Sequence, residues 1–181
     1  MSRRTRSELE GCVLGLIELA GSTTAYAVCS VFLKSPSPQW SGSAGAIYPL
    51  VERLERAKLI RGTHGVVGRR GRRMLKLTAK GRAAFQSWMG TLTDRVAGVP
   101  PDPLRTRMYF LDLLPEKRRR KFLKAALMGA DKNLSKVRED CKNRKSAGGV
   151  WYLAALGALR SMEARRDWLR SVQKGLARSS P

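Results

Sequence analysis

Apolar residues recur at helical spacing in three consecutive segments near the start of the chain. The first two segments predict helices before and after Gly21, a residue well placed to end a helix. The third has the i, i+3, i+4, i+7 spacing of one buried helical face, formed by Ile47, Leu50, Val51 and Leu54. Ser43 stands at the expected N-cap of this third helix, and Ala44 and Gly45 leave its first turn nearly bare. A phosphate or a base edge could therefore approach the backbone N–H groups there, with Tyr48 just beyond.

Two short β-like runs follow this helix, on either side of a tip rich in glycine and arginine. The pattern lies between Lys58 and Gly81 and predicts a two-stranded hairpin, or β-wing. A linking helix is expected over residues 81–89, where Ala84, Phe85 and Trp88 can share a face. The proline-rich segment at residues 97–103 then predicts a domain boundary.

The remaining chain reads as helix throughout. A short helix is predicted from Leu104 to Leu114, and a long one after Pro115. The long helix repeats apolar residues in steps of four and three, at Leu123, Leu127, Ala130, Leu134, Val137 and Cys141. The last helix, from about Val150 to Ala177, has a similar apolar stripe, which consists of Leu153, Leu156, Leu159, Met162, Leu169, Val172 and Leu176. We expect the two long helices to pack antiparallel and part of their apolar surface to meet a second subunit in a two-fold homodimer.

These patterns predict a mainly α fold with a small β-wing. The N-terminal domain is expected over residues 1–90, and a C-terminal antiparallel helical domain over residues 104–178.

The charge is strongly unbalanced. The chain has 36 Lys and Arg against 14 Asp and Glu, a formal net charge of +22 and a pI of about 11.2. Such a fold repels itself unless a polyanion compensates, so double-stranded DNA is the expected partner. The span from Arg61 to Arg82 contains only positive charges, which are Arg61, Arg69, Arg70, Arg72, Arg73, Lys76, Lys80 and Arg82.

A membrane partner is not expected, because no apolar run approaches the roughly 20 residues that a spanning helix needs. The N-terminus does not resemble a signal peptide either. These observations predict a cytoplasmic, nucleoid-associated protein.

Residues for metal binding or catalysis are few. Cys12, Cys29 and Cys141 have no C-x-x-C spacing, and His64 is the single histidine, so no metal and no cofactor are expected. Each cysteine lies on an apolar helical stripe, where a small buried hydrophobic role is favoured over a redox switch. No Ser/His/Asp group or nucleotide-binding glycine loop can be argued, and we expect no enzyme.

Several motifs occur in an order that resembles the PadR-like winged helix-turn-helix transcriptional regulators. They are Tyr48-Pro49, Leu54-Glu55, Leu59-Ile60, the Arg-rich wing tip and Leu77-Thr78-x-Lys80-Gly81. In the C-terminal part, Phe110 to Pro115 and Trp168-Leu169 resemble the longer PadR subfamily. The resemblance implies an N-terminal winged helix-turn-helix domain for DNA binding and a helical domain for dimerisation.

Under this resemblance the third helix enters the major groove and the wing reaches the flanking backbone or minor groove. The residues expected at DNA are Ser43, Gly45, Tyr48, Tyr26, Lys34, Arg69, Arg70, Arg72 and Arg73. Residues 43–48 include no Arg, Asn or Gln for a bidentate base contact, so specificity is expected to depend on DNA shape.

Two questions stay open at this point, each with two answers. A dimeric, sequence-specific repressor is favoured, and an architectural, nucleoid-type protein that coats nucleic acid without reading it is the alternative. Trp151, Tyr152 and Trp168 could pack structurally or bind a small aromatic or apolar effector.

Overall fold

The computed structural model describes residues 6–34, 43–67, 70–146 and 148–178, which form two compact units that divide between Pro100 and Pro101. The predicted fold class is confirmed. The first unit contains α1 (Glu8–Ala20), α2 (Ala25–Lys34), α3 (Ala44–Arg56), β1 (Ile60–Val67), β2 (Arg70–Leu77), α4 (Ala79–Gly90) and α5 (Asp94–Ala97). The second contains α6 (Pro103–Met108), a 3-10 helix (Leu111–Leu113), α7 (Glu116–Lys145) and α8 (Gly149–Arg178).

The core of the first unit joins α1, α2 and α3 to the base of the wing. The predicted face of α3 is buried, since Ile47, Leu50, Val51 and Leu54 are all at most 6% exposed. They pack in one cluster with residues of the other elements, including Leu14, Ile17, Phe32, Ile60 and Leu75. Full burial of one such side chain is worth about 1.5–3 kcal/mol, so this cluster fixes which face of α3 remains outside.

Two glycines let α4 approach α1 closely. A Cβ atom on Gly11 would overlap the ring of Trp88, and one on Gly15 would lie 2.9 Å from Phe85. Phe85 and Trp88 do share a face of α4, as predicted, with ring centroids 6.0 Å apart. The helix itself begins two residues earlier than expected, because Thr78 caps it by accepting a hydrogen bond from the Gly81 N–H at 3.0 Å.

The wing is a two-stranded antiparallel sheet in which Ile60 pairs with Leu77 and Val67 with Arg70. Its base is fixed to the end of α3. The Thr78 hydroxyl donates to the Lys58 carbonyl at 2.8 Å, and Lys80 donates to the Ala57 carbonyl at 3.0 Å. A side chain on Gly81 would collide with the carbonyl of Leu59. The motif Leu77-Thr78-x-Lys80-Gly81 is therefore a structural joint.

In the second unit, α7 and α8 pack against each other as an antiparallel pair. Leu123, Ala130, Leu134 and Cys141 of the predicted α7 stripe are buried. On α8, Leu169 is fully buried, whereas Leu153, which belongs to the predicted apolar stripe, is 60% exposed within the single chain. Ala155 is only 7% exposed, which shows that position 155, rather than 153, faces the core of this unit.

The prediction of one helix from Leu104 to Leu114 is wrong in the length of the helix. It ends at Met108, and a separate 3-10 helix follows at Leu111–Leu113. Leu114 is extended, at φ −87° and ψ 139°, as expected for a residue that precedes a proline. Pro115 therefore prevents one continuous helix from joining α7.

The cysteines are free thiols. Cys29 and Cys141 are buried, as predicted, while Cys12 is partly buried. Burial raises the pKa of the Cys12 thiol above its ordinary 9.0, and the carboxylate of Glu8 adds to the effect. A raised pKa lowers the thiolate fraction at neutral pH, which is the opposite of what a reactive cysteine needs.

Candidate nucleic-acid interface

An open groove of about 450 Å³ lies where α2, α3 and the wing come together. Its lining consists of Thr24, Ala25, Tyr26, Tyr48, Arg72 and Arg73. Four of these six residues were predicted from the sequence as nucleic-acid contacts. They come from three separate elements, and the fold brings them together at one surface.

The start of α3 provides an exposed helix N-terminus. Ser43 has the N-cap position, but its side chain makes no cap hydrogen bond to the helix. The first N–H groups of a helix have no partner within the helix, and the first turn of α3 holds no acidic residue. Ser43 and Gly45 are exposed, and among the described residues a Cβ on Gly45 would come near the Ser43 hydroxyl, at 3.7 Å, and no other side chain. This turn can accept the close approach of an anion.

Tyr48 follows one turn further along α3, with 41% of its surface exposed. Its hydroxyl can donate to or accept from a phosphate or a base edge. Tyr26 of α2 is 68% exposed and lines the same groove.

Thr24 and Ala25, at the N-terminus of α2, line the groove beside the predicted Tyr26 but were not predicted as part of the site. Thr24 caps the helix by accepting the Ala27 N–H at 3.1 Å, and no acidic residue lies in the first turn of α2. The threonine at the predicted start of α2 was the available sequence signal. The groove therefore has a positive helix end beside the wing.

The position of the wing beside α2 depends on a short backbone bridge. Thr23 donates its N–H to the Leu75 carbonyl at 3.1 Å and accepts the Leu75 N–H at 2.6 Å. This bridge joins the α1–α2 connection to β2, the strand that contains Arg72 and Arg73. It holds the wing arginines next to Thr24 and Tyr26.

Glu55 connects α3 to both strands of the wing. Its Oε1 accepts the Gly62 N–H at 2.9 Å and lies 2.7 Å from Nη2 of Arg73. A Cβ on Gly62 would lie 2.8 Å from this oxygen and would collide with Arg73, so the glycine leaves room for the pair. Arg73 is still 62% exposed, but its guanidinium already has a carboxylate partner.

Arg72 is exposed, as Arg73 is, but unlike Arg73 it forms no ion pair with any described residue. Among the described residues, Arg72 is thus the groove guanidinium that has no carboxylate partner. Arg69 and the side chains of Arg70 and Lys34 lie outside the described residues.

The residues expected at an effector site do not converge. Trp151 and Tyr152 lie in the first turn of α8, whereas Trp168 lies about 25 Å further along the helix axis. Trp151 is 41% exposed, and the Arg144 guanidinium lies 5.7 Å from its ring centroid. A separate apolar cavity of about 200 Å³ was not predicted; it is lined by Arg107, Phe110, Leu111, Leu114 and Phe122.

Across the described parts of the chain, no three His, Cys, Asp or Glu side chains form a group that could hold a metal ion. Within those same parts, none of the helices combines the length and the apolar character needed to cross a membrane.

The three-helix unit, its wing and the antiparallel helical unit together define a winged helix-turn-helix protein with a helical second domain. Residues 13–87 match the sequence model described as the transcriptional regulator PadR-like family, which confirms the resemblance that the sequence predicted. This is a family of transcriptional regulators, not of enzymes.

Several solved structures have a similar fold. Bacillus subtilis PadR in complex with operator DNA has a TM-score of 0.79 and 20% identity, over 92% of this chain and 96% of that chain. The same protein in complex with p-coumaric acid has a TM-score of 0.75 and 19% identity, over 95% and 96%. The PadR-like transcriptional regulator BC1756 from Bacillus cereus has a TM-score of 0.73 and 22% identity, over 95% and 99%. A comparison with curated proteins finds no match.

Proposed function

We propose that this chain is a sequence-specific, DNA-binding transcriptional repressor that acts as a homodimer. The observation that carries the proposal is the groove in which Tyr48 of α3, Tyr26 of α2 and Arg72 of the wing meet. In this proposal α3 enters the major groove, and the wing arginines contact the flanking backbone or minor groove. The operator complex of Bacillus subtilis PadR, which shares the fold, supports this arrangement.

The predicted contacts divide into two kinds. Ser43, Gly45 and Tyr48 lie on the exposed start of α3 and are proposed to approach base edges and nearby phosphates. Tyr26, Lys34, Arg69, Arg70, Arg72 and Arg73 are proposed to contact the backbone or minor groove. Because Arg73 is held by Glu55, we assign the larger phosphate contribution to Arg72.

Equilibrium binding to a fluorescent duplex tests the proposal. The duplex carries the promoter upstream of the protein's own gene, and random-sequence DNA serves as competitor at near-physiological salt. A preference of about a thousandfold or more for the promoter is expected of a sequence reader. Tyr48→Phe is expected to reduce this preference, whereas Arg72→Ala is expected to weaken binding to both duplexes.

The architectural alternative has its own support in the net charge of +22. It predicts equal affinity for the two duplexes with the same steep salt dependence. Equal affinity for the two duplexes would contradict sequence-specific regulation if duplexes that carry the sites from a genome-wide binding map gave the same result. Repression is tested separately by run-off transcription, where the protein should reduce transcript from the promoter that it binds.

We also propose that the helical unit binds a small aromatic effector. The exposed ring of Trp151 offers a stacking surface, and the Arg144 guanidinium, which is paired with Asp140, lies over this ring. The p-coumaric acid complex of Bacillus subtilis PadR supports an aromatic acid as the first ligand to test. Quenching of tryptophan fluorescence by p-coumaric acid should be lost in Trp151→Leu and kept in Trp168→Leu. Equal quenching in both variants would contradict a site at Trp151.

A further inference from the structure

More than half of the net charge lies outside the winged unit. Residues 101–181 contain 20 Lys and Arg and 8 Asp and Glu, which gives +12 of the total +22. The groove and the wing therefore account for less than half of the charge that a polyanion has to compensate. The helical unit itself requires an explanation for its excess.

The carboxylates of this unit are almost all used by arginines. The pairs among the described residues are Asp102–Arg165, Asp112–Arg119, Glu116–Arg120, Asp140–Arg144, Glu163 with Arg138 and Arg160, and Asp167–Arg166. None of the described lysines of α7 forms an ion pair with a described carboxylate. The positive charge that the unit does not neutralise is thus carried mostly by ammonium groups, although Arg105, Arg107, Arg118 and Arg170 also lie outside these pairs.

Most of these lysines lie on one face of α7, which we call the lysine stripe. It consists of Lys117, Lys121, Lys124, Lys132, Lys136 and Lys142, all of them exposed. At 3.6 residues per turn, this face is opposite the buried positions Leu123, Ala130, Leu134 and Cys141. Glu139 lies within the stripe and Asp131 at its edge, both acidic and exposed, and Met128 is an exposed apolar side chain there. The stripe is about 37 Å long, close to one turn of B-DNA.

We propose that the lysine stripe is a second DNA-binding surface, which contacts phosphates without reading sequence. The choice of DNA as the partner rests on the proposed function. A chain that is already bound to DNA through its wing holds α7 at a high local concentration of DNA. Lysines act as point charges toward phosphate and are depleted from protein–protein interfaces. The stripe also lacks the bulky apolar residues with which an amphipathic helix enters a membrane surface.

The test is the salt dependence of binding of the full chain to a random-sequence duplex of about 40 base pairs. The stripe variant is Lys121→Gln/Lys124→Gln/Lys132→Gln. Its control, Lys145→Gln/Arg170→Gln/Lys174→Gln, removes the same charge at exposed positions of the same unit outside the stripe. Glutamine has nearly the helix propensity of lysine, and circular dichroism should show the same helix content in both.

Each lost phosphate contact lowers the slope of log affinity against log salt by roughly 0.9. We therefore expect the stripe variant to lose roughly 2 to 3 from this slope, and the control to lose less than about 1. Equal slopes in the two variants would overturn the inference.

The variant Arg72→Ala separates this inference from the proposed function. If Arg72→Ala weakens binding and the stripe variant matches its control, the proposed function stands and the stripe inference is wrong. If the stripe variant alone weakens binding, the stripe is supported and the role of the wing fails. Stripe-dependent binding to phosphatidylserine vesicles, with unchanged DNA binding, would instead assign the stripe to a membrane surface and overturn the inference.

Discussion

Glu55 shows how a single side chain can set the geometry of the groove. Its carboxylate accepts the backbone N–H of Gly62 on β1 and pairs with Arg73 on β2, so one residue of α3 holds both strands. Its side chain is only 23% exposed, which limits competition from water. The orientation of the wing relative to α3 therefore depends on this residue.

Glu55→Gln is expected to destabilise the fold by about 1 kcal/mol, because the amide keeps the shape but loses the charge that strengthens both hydrogen bonds. The estimate is modest because Arg73 is largely exposed. Urea denaturation measures the change. The control is Glu52→Gln, an exposed residue of the same helix with the same change in charge, which should cost less than about 0.5 kcal/mol. Equal losses in the two variants would show that Glu55 acts only as a surface charge.

At the scale of elements, the joint between α3, the wing and α4 is built from backbone groups. Thr78 accepts the Gly81 N–H and donates to the Lys58 and Leu59 carbonyls, so one hydroxyl connects the start of α4 to the end of α3. Lys58 has a positive φ of 59°, a conformation that turns the chain sharply between α3 and β1. The motif Leu77-Thr78-x-Lys80-Gly81 at the end of the wing, which contributed to the family resemblance, thus serves packing rather than DNA contact.

Gly81→Ala should destabilise the first unit by roughly 1–3 kcal/mol, as overpacking typically does. The new Cβ would meet the backbone carbonyl of Leu59, which cannot move without displacing β1. Gly90→Ala is the matched control in the same helix, because, apart from its chain neighbours and the backbone of its own helix, no atom of a described residue lies within 4 Å of its Cβ position. Thermal melts should show a lower Tm for Gly81→Ala and little change for Gly90→Ala. A neutral Gly81→Ala would mean that the approach of α4 to Leu59 is looser than described.

At the scale of the whole molecule, apolar side chains remain exposed at the start of α8. Val150 is 75% exposed, and Leu153, which belongs to the predicted apolar stripe of α8, is 60% exposed. Exposed apolar residues that cluster on a helix commonly mark a protein interface. We expect a second copy of the chain to cover them in the proposed homodimer.

Leu153→Glu is expected to weaken the dimer strongly, because it would place a charge without a partner in an apolar interface. Light scattering after size-exclusion chromatography should show a mass near twice 20.1 kDa for the unchanged protein and a shift toward 20.1 kDa for the variant. Ser161→Glu introduces the same charge at another exposed position of α8 and should remain dimeric. A monomeric unchanged protein would contradict the dimer itself.

The sequence by itself determined the local structure and the charge. We could predict the buried face of α3, the wing with its basic residues and the pair of long helices, because helical and strand periodicities depend on neighbouring residues. The start of α3, with Ser43, Gly45 and Tyr48, could be proposed as a contact surface for the same reason.

Only the tertiary structure decided which of these residues share a surface. The Thr23–Leu75 bridge brings Thr24 beside Arg72, although the two residues are far apart in the chain. Contacts at such separation leave no periodic signal in the sequence, and neither does the choice of Glu55 as the partner of Arg73. The lysine stripe likewise became distinct only once the pairing of α7 with α8 showed which face is buried and which carboxylates the arginines use.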